Sequence, residues 1–482
     1  MTQQLDSDRS AEKSSSSGLD RFFRITARGS TISRELRGGL TTFVAMAYIV
    51  MLNPLILGSS ADATGARLTT EQLTTATAAT AGVMTVVMGL VGNAPFALAS
   101  GLGVNAVVAF TIAPAMTWPQ AFGLVVLEGV VIIALAISGV REKIINSIPA
   151  PLKTALTVGI GLYIALIGLV SAGFVTRKPD AANTTVPVQM GTGTEGHLTG
   201  WPIAIFCLSL LIMLVLLARR VPGAILIGIA VTTVLAIVVN AVFHVPAKQW
   251  GTVVPELPDK LVGSPDFSLL GHIDPFGGFA SAGGIAATVF LFTLVLSGFF
   301  DAMGTITSVS SEAGLVRDGK VEGMGRILAV DGIAAAAGGL SGSSPNTVFL
   351  ESATGVAEGA RTGLASVVTG LLFCATLLFT PLASVVPAQA AAPALVIVGG
   401  MMMAQVRHVP WHDSDYVIPA FLTIAVIPFT YMITNGIGAG LVAFTAIKLA
   451  KGKAREIGWL VGLLSVVFVL YFGVEGVEAL FE

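Results

Sequence analysis

The sequence predicts an all-α polytopic membrane protein of about fourteen spans, arranged as two inverted seven-span halves, and three observations lead there. The first is composition: of 482 residues 54% are hydrophobic and only 11% charged, with a mean hydropathy of +0.85, whereas an ordinary soluble domain carries about 25% charged residues. The second is that long apolar runs recur along the chain and every second connection except the tight turn Gly92-Asn93 carries Lys or Arg, as the positive-inside rule requires. The third is a pair of interruptions. Asn93-Ala94-Pro95 opens the third run and Pro345-Asn346-Thr347 opens the tenth. An odd number of segments separates them, so one half is upside down relative to the other.

The remaining bulk properties exclude several classes. A net charge of -2 without a basic stripe offers nothing to a nucleic acid. Cys207 and Cys374 lie inside apolar runs with no partner at metal-ligand spacing, so neither a disulfide framework nor a zinc site is expected. Residues 1–20 form a polar, Ser-rich tail without a cleavable signal, and the first apolar run begins only near Leu40.

Taken in order, Arg21, Arg24, Arg28, Arg34 and Arg37 precede the run 40–57 and place the N-terminus in the cytoplasm. The runs 74–91, 94–115 and 121–140 follow, the last ending at Arg141-Glu142-Lys143. Runs 152–170 and 201–217 end at Arg219-Arg220, and run 221–242 leads to an external loop over 244–278. In the second half, run 284–309 descends to Arg317, Lys320 and Arg326, 327–340 rises, and the polar-interrupted segment 341–360 returns to Arg361. Runs 364–386, 394–406, 416–434 and 437–449 complete the count, ending at Lys451, Lys453 and Arg455. A last apolar stretch, 457–472, is left as either a further span or a surface segment.

Segments three and ten each combine a Pro, a short extended run and a small-residue helix. Non-helical backbone at membrane depth has to line a cavity or be buried in protein, because lipid offers it no hydrogen-bond partner. Paired interruptions of this kind are a secondary-transporter arrangement.

Ionisable groups inside spans cost roughly 2.5 to 3.5 kcal/mol each on insertion scales, so each needs a reason. Here they are Glu128, Asp301, Asp331 and Glu351, with Glu358 near an end. Asp301 lies in L-F-T-L-V-L-S-G-F-F-D-A-M-G-T, a setting in which a carboxyl can exchange a proton near neutral pH. Glu351 opens the helical half of the tenth segment, where a ligand can reach it. Glu128 and Asp331 read as structural hydrogen-bonding acids, and Glu358 as the partner of Arg361 in a cytoplasmic-end ion pair. The five histidines fall in loops and make no relay or metal site. Two acceptor carboxylates suit a neutral, planar, hydrogen-bond-donating ligand better than an anion. Asn105 adds a donor and an acceptor, Thr347 stands in the extended approach to Glu351, and Phe43, Phe299 and Phe300 offer rings to stack on. No paired His, Ser-His-Asp set, phosphate loop or selectivity-filter repeat supports an enzyme or a channel.

Four stretches carry a resemblance: G-G-L-T-T-F-V-A-M-A-Y-I-V-M-L-N-P (38–54), G-L-G-V-N-A (101–106), F-F-D-A-M-G-T (299–305) and E-S-A-T-G-V-A-E-G-A-R-T-G (351–363). In this order they resemble the AzgA-like purine permeases of the nucleobase-cation symporter and xanthine-uracil permease superfamily, over about residues 37–472. The resemblance implies a core domain (21–145 and 283–388) and a gate domain (146–245 and 389–455), with an external loop over 246–282 and a C-terminal segment over 456–482. It also implies that Asp301 and Glu351 hold the base and couple the proton, and that Asn105 shapes the site. The cargo would be adenine, guanine or hypoxanthine, moved by proton symport across the plasma membrane. No cofactor beyond the proton gradient is implied, and the gate domain would offer a homodimer interface. The departures are Leu102 and Val104 in G-L-G-V-N-A, where the commoner pattern reads G-M-G-L-N-A, and S-S-P-N-T-V-F-L-E before the glutamate, where the commoner pattern is richer in Thr; both bear on substrate preference. A uracil- or xanthine-preferring carrier and a same-fold anion transporter of the sulfate or bicarbonate type are the alternatives.

Overall fold

The computed structural model describes residues 18–138, 149–177, 188–190, 197–251, 253–257, 260, 262–317, 320–383 and 385–481. Of Phe299, Phe300 and Asp301 it describes the backbone alone, and the polar tail 1–17 and the turn Arg141-Glu142-Lys143 lie outside the described residues. Among the described residues nine helices are long and apolar enough to cross a membrane, and four shorter apolar helices accompany them. The shortfall against fourteen has physical causes: Met324–Ser341 carries Arg326 and Asp331, and the tenth segment is split into a strand and a short helix.

The first span, Ile32–Ser59, is two helices, α1 (Ile32–Met46) and α2 (Ile49–Ser59). Thr31 caps α1 by accepting from the Arg34 amide. At Ala47–Tyr48 the amides of Val50 and Met51 bond back only three residues, to Ala47 and Tyr48. Pro54, one turn on, cannot donate into the ladder, so the break lies where the helix is already weakened.

α3 (Thr70–Val87) opens with a Thr69–Gln72 capping box and runs into a π-helical turn, Met88–Gly92. Asn93, in the left-handed region at φ 45°, ends it. β1 (Leu98–Ser100) and α4 (Leu102–Val107) follow, then α5 (Trp118–Ser138), α6 (Ala150–Ser171), α7 (Trp201–Ala218) and α8 (Ala224–Phe243). The second half comprises α9 (Gly284–Glu312), α10 (Met324–Ser341), β2 (Asn346–Val348), α11 (Ser352–Ala357) and α12 (Gly363–Thr376). It ends with α13 (Ala388–Met403), α14 (Val417–Thr430), α15 (Ile433–Ala450) and α16 (Trp459–Phe481).

The two extended stretches expected in segments three and ten are strands, and they pair with each other. β1 and β2 run antiparallel, with Leu98 opposite Val348, Ala99 opposite Thr347 and Ser100 opposite Asn346. The Gly101 amide donates to Pro345 O at 3.0 Å and the Phe349 amide to Ala97 O at 2.9 Å. Every residue of both strands is buried, so each satisfies the other's backbone where water and lipid are absent.

Packing falls into two groups. In the first, α10 lies on α5, α12 on α3 and α1, and α11 on α1, with α9 against β2 and α11. In the second, α13 and α14 lie on α6, α14 on α15, and α7 on α8 and α13. The stretch left unplaced by the sequence forms most of α16, which packs on α15: Val461 and Phe468 are buried, and Ser465 bonds Thr445 Oγ1 at 2.7 Å and Leu441 O at 3.1 Å.

Candidate functional site

The crossing of β1 and β2 brings together groups scattered through both halves. β2 runs into Glu351, the residue that opens α11, and Glu351 Oε1 accepts the Tyr48 hydroxyl at 2.5 Å. Tyr48 stands at the break in the first span and is fully buried, so the interruption of one span supplies a donor to the carboxylate of another. α11 has only six residues and contributes little dipole; Glu351 depends on Tyr48 rather than on helix amides.

The backbone of Asp301 lies in α9, which packs against β2 and α11, the elements on either side of Glu351. The side chains of Asp301 and Phe300 lie outside the described residues. Phe43 is half-buried and meets Phe373 of α12 edge-on, with ring centroids 5.1 Å apart. Thr347 is buried and its hydroxyl donates to Asp331 Oδ1 at 3.1 Å.

Asn105 is fully buried, in a polar layer against the strands. Its Nδ2 donates to Asn53 Oδ1 at 3.1 Å, and Asn53 Nδ2 donates in turn to Thr77 Oγ1 at 2.8 Å and Ser343 Oγ at 3.0 Å. Ser100 and Ser343 share a hydrogen bond at 2.9 Å, and Ser100 donates to Asn346 Oδ1 at 3.3 Å. The layer ties segments one, two, three and ten together, and Asn105 Oδ1 is left without a partner among the described residues.

Sequence reasoning did not single out Tyr48, Asn53 or an aromatic set at the junction of the two helix groups. Phe110, Tyr163 and Tyr431 meet edge-on at centroid distances of 5.1 to 6.4 Å, and Tyr163 donates to Tyr431 O at 3.1 Å. They join the same apolar cluster as Tyr48 and Phe349. A cleft lined by Leu152, Lys153, Leu156, Leu296, Thr423 and Leu441 lies between α9 and the second helix group. The available signal was a polar residue inside an apolar run, Asn53 before Pro54 and Tyr48 in A-M-A-Y-I-V.

Two expectations for acidic residues are corrected. Glu358 makes no ion pair among the described residues; Arg361 instead donates to the carbonyls of Val356 at 2.6 Å and Ala360 at 2.7 Å, which lie within its own turn. The buried carboxylate that orders this end is Glu35, which accepts the Arg361 amide at 2.9 Å and the Thr362 amide at 3.3 Å. Asp331 does hydrogen-bond as expected, to Thr347 and to the Val348 amide at 3.2 Å, whereas Glu128 has no hydrogen-bond partner among the described residues.

Residues 33–439 match the Permease family (Xan_ur_permease). The chain is 35% identical over 460 residues to the guanine/hypoxanthine permease PbuG of Bacillus subtilis (strain 168), covering 94% of this chain and 98% of that one. It is 34% identical over 457 residues to the adenine permease AdeP of Escherichia coli (strain K12), covering 94% and 95%. Among solved structures, the transmembrane domain of a cyanobacterium bicarbonate transporter, BicA, superposes with a TM-score of 0.56 at 16% identity, covering 86% of this chain and 97% of that one, and so shares the fold.

Proposed function

The chain belongs to the Permease family (Xan_ur_permease), and from that premise we propose that it imports purine nucleobases, namely adenine, guanine or hypoxanthine, by proton symport with alternating access. It is a multi-pass membrane transporter. The observation that carries the reading of the site is the Tyr48–Glu351 hydrogen bond beside the β1–β2 crossing, with α9 packed against both elements next to Glu351.

In this reading the purine donates ring N–H groups to Glu351 and Asp301, and Asn105, Thr347, Phe43 and Phe300 shape the surroundings. The Tyr48 hydroxyl engages one Glu351 oxygen, and in this reading the base donates to the other. Hydrogen-bond acceptors placed for a base reject a molecule that lacks the matching donors, because the buried acceptor is then left unpaired. The proton rides on Asp301 or Glu351. The first helix group, the core, rocks against the second, the gate, and the aromatic set at their junction lies on the moving boundary. The arginines before α1 put the N-terminus in the cytoplasm, with the chain in the plasma membrane and the gate helices available for a homodimer. No cofactor is needed beyond the proton gradient.

The fold is shared with a bicarbonate transporter, but a carboxylate at the strand crossing would repel an anion. The test is uptake of labelled adenine, guanine and hypoxanthine by cells carrying Asp301→Ala or Glu351→Ala at normal surface level. Uptake collapses if the assignment holds, and free bases, not sulfate or bicarbonate, compete. Undiminished uptake by both variants refutes it.

A further inference from the structure

α5 and α10 pack backbone against backbone. A Cβ on Gly129 would strike Ala336, one on Gly332 would strike Ile132 and Ile133, and one on Gly339 would strike the Phe122 carbonyl. The two helices are in direct contact along this seam. Glu128 sits in it, fully buried. Its carboxyl turns toward α9 at a glycine: a Cβ on Gly298 would lie 2.6 Å from Glu128 Oε1. Neither carboxyl oxygen has a hydrogen-bond partner among the described residues.

Among the described residues the charged neighbours offer no compensation. On α10 the group within electrostatic reach is another acid, Asp331, while Arg326 lies further down that helix, against Gly323. α9 carries Asp301 one turn beyond Gly298, described in its backbone alone. Asp274, before the short helix Gly277–Ser281, meets the first turns of α5 at Gly123 through its backbone carbonyl, and its carboxylate accepts the Gly277 amide at 2.9 Å. Leaving a buried charge unpaired is strongly destabilising. The arrangement therefore favours the neutral carboxyl over the carboxylate, and it is a poor site for a purely structural acid, which would be hydrogen-bonded.

Asp331 is the link onward. Its Oδ1 accepts the Thr347 hydroxyl at 3.1 Å and the Val348 amide at 3.2 Å, both on β2, which runs into Glu351. Negative charge arriving on Glu128 would press on Asp331 and, through it, on the strand.

Resting on the carrier reading above, we propose that Glu128 is a further proton-binding site of this transporter, a positioning residue whose proton sets how Asp331 holds the strand that carries Glu351. The step is a proton joining a Glu128 carboxylate oxygen and later leaving the same oxygen; no other bond changes. Exchange of substrate across a membrane does not require the site to cycle, but accumulation driven by a proton gradient does.

The experiment reconstitutes wild type, Glu128→Gln, Glu128→Asp and Gly298→Ala in liposomes. It measures exchange of labelled adenine, guanine and hypoxanthine at equal pH and their accumulation driven by an inside-alkaline gradient. Glu128→Gln should keep exchange within about threefold of wild type and lose accumulation at least tenfold, and Glu128→Asp should regain part of it. Gly298→Ala, which sets a methyl group against Oε1, should show the same split and serves where Glu128→Gln is poorly folded. Gradient-driven accumulation by Glu128→Gln within twofold of wild type overturns the proposal. So does a parallel fall of exchange and accumulation in both Glu128→Gln and Gly298→Ala, the mark of a structural role. Wild-type exchange without gradient-driven accumulation overturns proton symport and this site with it. An absence of wild-type exchange overturns the purine reading as well.

Discussion

A phenol held against a buried carboxylate fixes both the acid's rotamer and which oxygen stays available, so Tyr48 is as much part of the candidate site as Glu351. Tyr48→Phe keeps the ring in its apolar surroundings and removes one hydrogen bond to an acidic group, of the order of 1.5–3 kcal/mol. The expected outcome is a purine Kd raised about tenfold or more with protein yield little changed, measured by binding to purified protein. Glu351→Gln replaces an acceptor oxygen with a donor amide facing the same N–H groups and should lower uptake at least a hundredfold at equal surface level, because donor then meets donor. The acids were legible in the sequence because charge is rare inside apolar runs. Tyr48 was not, because a tyrosine in such a run looks like packing until the helix break beside it is known.

At the level of elements, the two short strands were legible from Pro95 and Pro345 and from the extended, small-residue stretches after them, whereas their pairing was not. Nothing local to Leu98–Ser100 specifies Asn346–Val348 as its partner. The same holds for Asp331, which looked like a lone acid among alanines and glycines and proves to be the acceptor for a strand amide. Asp331→Ala leaves the Val348 N–H and the Thr347 hydroxyl buried and unpaired, at about 1–3 kcal/mol for an orphaned group. Its midpoint of thermal unfolding should fall by several degrees and its uptake should be lost. Asp331→Asn, with a carbonyl oxygen still able to accept, should recover most of the stability, as read by a thermal melt in detergent. The sequence marked Glu128 as a structural, hydrogen-bonded acid because a satisfied acid and an orphaned one are spelled alike; its oxygens, without a partner among the described residues, and the glycine opposite them on α9 tell the two apart.

For the whole molecule, alternating basic connections and inverted interruptions foretold a polytopic bundle, but the spans that bear polar groups were too short or too charged to be counted by apolarity alone. One charged knot ties three helices at a common end. Asp415, just before α14, accepts Lys448 of α15 at 2.7 Å and Lys453 at 3.2 Å and also pairs with Lys451, while Lys448 reaches Glu456, ahead of α16, at 2.6 Å. Hydrogen bonds from Lys448 and Lys451 hold the Asp415 carboxyl well below the usual carboxylate range, against the opposing effect of burial. A depressed acid contributes stability above its unfolded-state value, near 3.9, and loses it as pH falls toward the folded value. Asp415→Asn should therefore melt below wild type at pH 7, and the gap should narrow below about pH 4, measured as unfolding midpoints across a pH series.

The β1–β2 pairing also constrains biogenesis. Ser100 leaves the ribosome long before Asn346 exists, and at about 5–20 residues per second the complementary strand is synthesised some tens of seconds later. Until then the backbone of the nascent third segment has no mate in the hydrocarbon, so the insertion machinery or the lipid boundary has to shelter it. The halves are therefore obligate companions: a chain terminated ahead of Asn346 exposes unmated peptide groups that mark it for membrane quality control.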